Sequence, residues 1–199
     1  MFKRKCKITF ITHGATVHTM DGILSDSGKF PKLNDVGEEE IEKVCEYLSN
    51  RGVHYDKIYT SPSARCIQSA QIVAKLFKKR TTTIDLPQRN LGEWTGQSFI
   101  DIYDKYGSDA IMQTPKGGES INDFNKRVQG IIDKLVEENQ GNRIIVVTTP
   151  DVVQAAIALT LNLTQENQYK SLIKTGSLTQ ISYFVDDWSS IIYSDYVPL

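Results

Sequence analysis

The 199-residue chain predicts a single three-layer α/β domain, residues 1–199, with a mostly parallel sheet and helices on both faces. Strand-like and helix-like periods alternate along its length, the arrangement that builds parallel sheets. Arg143 to Thr148, RIIVVT, is a continuous apolar, β-branched run of the kind buried on both faces of such a sheet. The length suits one domain of this class and is short for two.

Each element follows from local pattern. Cys6 to Thr12 reads as a buried strand, and Asn34 to Asn50 as a helix with Val36, Ile41, Val44, Cys45 and Leu48 at helical spacing and Gly52 just beyond its end. Lys57 to Thr60 is a short strand, and Ala64 to Phe77 a helix with Ala70, Val73, Ala74 and Phe77 on one face. Thr81 to Asp85 is β-branched and strand-like; Leu86 to Gln97 is a loop punctuated by Pro87, Gly92 and Gly96. Ser120 to Glu138 is a long helix opening on a cap-like serine. Pro150 to Leu161 is a further helix, and Leu178 to Val185 and Ser190 to Tyr196 are closing strands.

Composition excludes several function classes. A net charge of −1 gives no field that favours nucleic acid or an anionic membrane surface. The start, MFKRKCK, is basic like the beginning of an export signal, but the apolar run behind it spans only Ile8 to Ile11, so a cytoplasmic protein is expected. No run approaches the ~20 apolar residues of a membrane span. Cys6, Cys45 and Cys66 are odd in number and unpatterned, as reduced thiols are. No metal site and no cofactor are implied, because the histidines are scattered and no Cys-x-x-Cys pair occurs.

In a parallel sheet, ligands sit beyond the C-terminal ends of the strands. His13 falls just past the first strand in THGAT, where Gly14 would let backbone approach a bound group. YTSPSARCIQSA leaves the second strand and carries Arg65 into the next helix. LPQRNLGEWTG follows the third strand, PKGGES opens the long helix, and VVTTPD closes the most buried strand onto another helix. Four of these five junctions lie at strand C-terminal ends and converge on one cleft.

Together these stretches resemble the histidine phosphatase superfamily in its phosphoglycerate mutase-like branch, nearly end to end, from Ile8 to about Tyr183. The family's Arg-His-Gly-x-Thr stretch corresponds to Thr12-His13-Gly14-Ala15-Thr16, its Leu-Thr-x-x-Gly helix start to Leu33-Asn34-Asp35-Val36-Gly37, and its Ser-Pro-x-x-Arg stretch to Ser61 through Arg65. Its glycine-x-tryptophan-x-glycine loop appears as Gly92 to Gly96, and Gly118-Glu119-Ser120 with Phe124 and Arg127 matches a further stretch. The resemblance implies a histidine that takes a phosphoryl group, two arginines and a second histidine that hold it, and a carboxylic acid that protonates the leaving oxygen. On that basis His13 is the phosphate acceptor, and His13, Gly14, Thr16 and Arg65 bind phosphate, with His13 a second donor when protonated.

The chain departs from the family where the chemistry is done. The first arginine is Thr12, the acid is Gln88, the second histidine is Thr149 with Pro150 behind it, and the usual asparagine after the first motif is Thr19. His18, in the same loop as His13, and Arg89, beside Gln88, are possible substitutes for the missing groups, and Glu93 or Asp151 for the missing acid. Thr149-Pro150-Asp151 reads as an ordinary helix start: a threonine cap, proline at the first position and an acid in the first turn.

A lost general acid removes ~10²–10⁴ in rate, and a lost transition-state donor about another 10²–10³. The expectation is therefore a degenerate, impaired or inactive member with a residual phosphate-binding pocket, whose partner is phosphate, a phosphorylated small molecule or a protein. An active phosphomonoesterase or mutase with substituted helpers, and a non-catalytic interaction module, remain alternatives. Cys45 and Arg51 have the spacing of cysteine-dependent phosphatases, but Cys45 lies inside a helical pattern rather than a glycine-rich phosphate loop, so it reads as core.

Overall fold

The computed structural model describes residues 3–25, 28 and 31–199, so Met1 and Phe2 of the basic start lie outside it. Its strands are β1 (Arg4–Thr12), β2 (Lys57–Thr60), β3 (Thr81–Thr83), β4 (Arg143–Thr148), β5 (Leu178–Phe184) and β6 (Ser189–Tyr196). They form one sheet in the order β3-β2-β4-β1-β5-β6. The first four of these are mutually parallel, while β5 runs antiparallel to β1 and β6 to β5. The α/β class and the mostly parallel sheet expected from the sequence are what the chain adopts.

The helices are α1 (Val17–Asp21), α2 (Asp35–Asn50), α3 (Ala64–Phe77), α4 (Phe99–Tyr106), α5 (Ile121–Glu138), α6 (Pro150–Leu161) and α7 (Gln165–Gln168). Strand alternation divides the core into two layers. Cys6, Ile8 and Phe10 of β1, with Ile144 and Val146 of β4, pack against Phe124, Val128 and Ile132 of α5 and Val152 and Ala156 of α6. Ile11, Ile145 and Val147 face the other way, onto Ile41, Val44 and Leu48 of α2 and Ala70 and Val73 of α3. The side chains of Asn34 and Ser120 accept the amides of Gly37 and Asp123 and so start α2 and α5.

Three readings need correction. Val36 faces solvent, and Gly37 takes the inward place, because the first turn of α2 meets the His13 loop backbone to backbone. A Cβ on Gly14 would stand 2.0 Å from the Gly37 carbonyl oxygen, and one on Gly37 would stand 2.1 Å from that of Ala15. Gly14 is therefore a packing glycine rather than an opening for a ligand. The third strand ends at Thr83, two residues early, and α4 lies where no element was expected, capped by Ser98, whose side chain accepts the Ile100 amide.

Candidate active site

The C-terminal ends of β1, β2 and β4 open onto a cavity of about 260 Å³ whose lining includes His13, Thr19, Arg65, Gln88, Thr149 and Asp151. Backbone pairing sets the first of these: the His13 amide donates to the Thr148 carbonyl at 2.9 Å, which fastens the end of β1 to the end of β4. Both His13 and Arg65 are 2% exposed.

His13 has a defined protonation state. Its Nδ1 lies 2.8 Å from the Gly14 carbonyl oxygen, which can only accept, so Nδ1 carries the proton. Nε2 therefore presents a lone pair, and Arg65 Nε donates to it at 3.1 Å. Burial, and then the neighbouring Arg65 charge, lower the His13 pKa to about 3, against the small opposing effect of the Gly14 bond. The ring is neutral, so His13 is not the cationic donor that the sequence suggested. Its Nε2 lone pair faces the Arg65 guanidinium.

Arg65 enters from the first turn of α3 and also donates from Nη2 to Gln88 Oε1, while Gln88 Nε2 donates to the Ser25 carbonyl. Gln88 is held from behind as well. Arg127 donates to the carbonyls of Pro87 and Gln88 and pairs through Nε and Nη2 with Glu119 at 2.9 and 2.8 Å. The Gly118-Glu119-Ser120 stretch and Arg127 thus act as a clamp on the loop that carries residue 88. That loop itself is closely packed: Gly92 has φ +50°, and a Cβ there would fall 2.3 Å from the Lys116 carbonyl oxygen.

Three expected contributors stand elsewhere. Thr12 is turned away from the cavity: its hydroxyl donates to the Lys174 carbonyl at 2.7 Å and accepts the Ser177 amide at 2.8 Å. Thr16 is buried, but its hydroxyl accepts the Thr19 amide as the cap of α1, and it does not line the cavity. Gly14 N–H donates to Ser69 Oγ at 3.2 Å.

The suggested substitutes are engaged or misplaced. Arg89 borders the cavity, but its guanidinium donates to the carbonyls of Glu119, Ile111 and Gln113, so the loop consumes its charge-assisted bonds. His18 pairs with Ser25 Oγ at 2.8 Å and lies outside the cavity lining. Glu93 is exposed and is likewise outside it. Asp151 does face the cavity, but its carboxylate is engaged, accepting the amides of Arg89 and Val152.

The helix start at Thr149 is also unlike its expectation. Pro150 occupies the first turn, as read, but the Thr149 side chain makes no cap bond. Its hydroxyl is buried and has no hydrogen-bond partner among the described residues. The cysteines carry no alternative chemistry: burial raises the Cys6, Cys45 and Cys66 thiols to about 11. Among the described residues no cluster could hold a metal ion, and no helix is long and apolar enough to cross a membrane.

The sequence model of the histidine phosphatase superfamily (branch 1) matches residues 8–195. The chain belongs to this family. It is 27% identical over 195 residues to a broad-specificity phosphatase of Saccharomyces cerevisiae, an alignment covering 94% of this chain and 83% of that protein. It is 24% identical to a metal-independent phosphoserine phosphatase of Arabidopsis thaliana, covering 93% and 82%. It spans only about half the length of a bifunctional Mycobacterium tuberculosis protein to which it is 25% identical. Among solved structures, Bacillus stearothermophilus YhfR superposes with a TM-score of 0.86 at 20% identity, covering 96% of this chain and 98% of that one. A phosphoserine phosphatase from Entamoeba histolytica, solved with 3-phosphoglyceric acid, gives 0.83 at 20% identity with the same coverage. These two likenesses are ones of fold.

The sequence missed most of the family cavity's walls. Leu24, Phe99, Ile102, Ile111 and Tyr169 all line it. For α4 a signal existed, since Ser98 followed by Phe99, Ile102 and Tyr106 has a cap and helical spacing. Tyr169 lies beyond α6 in a stretch with no period to read.

Proposed function

We propose that this chain is an impaired histidine phosphatase that binds a phosphomonoester at His13 and Arg65 and turns it over slowly. The observation that carries the reading is the Arg65–Gln88 hydrogen bond. The position of the family's acid holds an amide, which has no proton to transfer, and that amide is paired with the guanidinium beside His13.

A phosphoryl group entering between His13 and Arg65 takes the Nε2 lone pair on phosphorus and receives the Arg65 Nε–H on an oxygen. The unpartnered Thr149 hydroxyl, at the position of the second histidine, supplies a neutral donor beside them. Attack forms the Nε2–P bond and breaks the P–O ester bond, and the electron pair leaves on the ester oxygen. With Gln88 in place of an acid, that oxygen departs as the anion, so esters of acidic alcohols react and alkyl esters stall. Phosphatase relatives support the family chemistry; the substitutions at Thr12, Gln88 and Thr149 support the loss of rate.

Titration calorimetry with inorganic phosphate tests the pocket, and hydrolysis of 4-nitrophenyl phosphate tests the turnover. Weak phosphate binding that Arg65→Lys reduces about tenfold or more is expected, because lysine lacks the guanidinium's directed donors. Turnover of alkyl phosphomonoesters at an ordinary enzymatic rate, abolished by His13→Ala, would overturn the impaired reading.

A further inference from the structure

This inference rests on the proposed role of His13 as the nucleophile and concerns what holds its ring in place. The ring has a bond at each nitrogen: Nδ1–H to the Gly14 carbonyl at 2.8 Å, and Arg65 Nε–H to Nε2 at 3.1 Å. The second is given up when Nε2 attacks, because its lone pair then goes to phosphorus. The Gly14 carbonyl is then the bond that keeps the ring oriented and Nδ1 protonated.

That carbonyl shares a rigid, planar peptide unit with the Ala15 amide, whose N–H points the opposite way. Whatever holds the amide therefore orients the carbonyl. The Ala15 N–H donates to Glu40 Oε2 at 2.8 Å, a charge-assisted bond. A carboxylate on one side of a peptide also polarises it, which makes the oxygen on the other side a better acceptor.

Glu40 is placed for this by its own surroundings. It lies in the second turn of α2, and of the run Glu38-Glu39-Glu40 it is the member turned inward, the other two being exposed. Its Oε1 accepts the Thr175 hydroxyl at 3.1 Å, so the carboxylate joins the His13 loop to the segment before β5. Gly176 makes room for it: its φ is +58°, and a Cβ there would stand 2.7 Å from Glu40 Cβ. The Gly176 N–H in turn donates to the His13 carbonyl oxygen at 3.1 Å. A brace that served only stability could bond any amide of the loop; this one holds the peptide whose oxygen receives the ring proton.

We infer that Glu40 is a positioning residue for the reaction: through the Gly14–Ala15 peptide it holds the carbonyl that keeps His13 Nδ1 protonated and Nε2 aimed at phosphorus. In the step itself the Nε2 lone pair forms the N–P bond, the P–O ester bond breaks with its pair on the ester oxygen, and Nδ1 keeps its proton. The ring becomes a cation, and its bond to the Gly14 carbonyl becomes charge-assisted. Glu40 therefore acts on the chemical step more than on binding.

Steady-state hydrolysis of 4-nitrophenyl phosphate by Glu40→Ala and Glu40→Gln in the full chain, with the His13 Nδ1–H proton resonance of each, tests this. Glu40→Ala should lower kcat about tenfold or more with KM held within about twofold, as lost orientation does, and should move the Nδ1–H resonance upfield. Glu40→Gln retains an oxygen for the Ala15 amide and should recover most of both. A kcat equal to the parent's in Glu40→Ala, a change confined to KM, or a glutamine variant no better than the alanine one overturns the inference. So does an unmoved Nδ1–H resonance in Glu40→Ala. If the alanine variant does not fold, Glu40→Asp, a methylene shorter, is read in the same way. A parent with no turnover removes the proposed function, and the Nδ1–H resonance then decides by itself whether Glu40 holds the ring.

Discussion

Arg65 donates to His13 Nε2 at 3.1 Å and, through Nη2, to the side-chain oxygen of Gln88. One guanidinium thus links the proposed nucleophile to the amide at the position where the family's acid is expected. On the proposed reading the electrostatic part of the chemistry is present there without its acid, and the two are separable by mutation.

Gln88→Glu together with Thr149→His and Pro150→Gly should raise 4-nitrophenyl phosphate hydrolysis by more than the product of the single gains, because such groups act as a unit. A gain of ~10² or more is expected from the acid and the second donor combined. His13→Ala in the same background should erase it. Steady-state rates for the singles and the combination decide the matter, and strictly independent effects would count against the shared mechanism.

The protonation state of His13 gives a pH signature. Its folded pKa, about 3, lies below the ~6.5 of an unfolded histidine. Between those values the unfolded chain binds the proton that the folded ring refuses, so lowering the pH from about 6.5 toward 3 weakens folding by ~1.4 kcal/mol per unit from this group. In His13→Gln that contribution should be absent. Ring proton shifts that stay those of neutral imidazole at pH 5 would confirm the state, and a midpoint near 6.5 would refute it.

Gly14→Ala should destabilise the fold severely, by ~3 kcal/mol or more, since the added Cβ would meet the Gly37 carbonyl oxygen at 2.0 Å and neither side is a movable side chain. Denaturant unfolding measures this, and a loss under about 1 kcal/mol would mean that the loop relaxes.

Arg89→Met should cost stability, because it leaves the carbonyls of Ile111, Gln113 and Glu119 without their donor; about 1.5–3 kcal/mol is expected for charge-assisted bonds of this kind. The melting temperature would fall by roughly 2–4 °C per kcal/mol lost. If Arg89 instead held phosphate, the same variant would melt unchanged and lose phosphate affinity.

The elements that the sequence made legible are those with a period and a punctuation mark. β4 is a run of branched apolar residues, α2 and α5 carry side-chain caps, and each appears within a residue of its predicted ends. The site was legible in residue types but not in directions. Gln88 and Thr149 do line the cavity with His13 and Arg65, whereas Thr12 and Thr16 are one residue before and three residues after His13 and point elsewhere. A one-residue step along a strand or a tight loop reverses a side chain, and no spacing rule recovers that without the backbone. Arg89 was open to both a binding and a structural role until its partners were seen, because the carbonyls it holds lie 22 to 30 residues away.

Thr12 has one more consequence, and it concerns reversibility. Its hydroxyl joins the end of β1 to the segment before β5 through Lys174 and Ser177, in a place that is 1% exposed. An arginine put back at this position would first break both bonds and then force a long charged side chain out of a filled space, before it offered any help to a phosphoryl group. Thr12→Arg alone is therefore expected to lower stability without raising activity unless residues 174 to 177 change with it. Position 12 and the 174–177 segment thus form one unit, which a single substitution cannot change without cost.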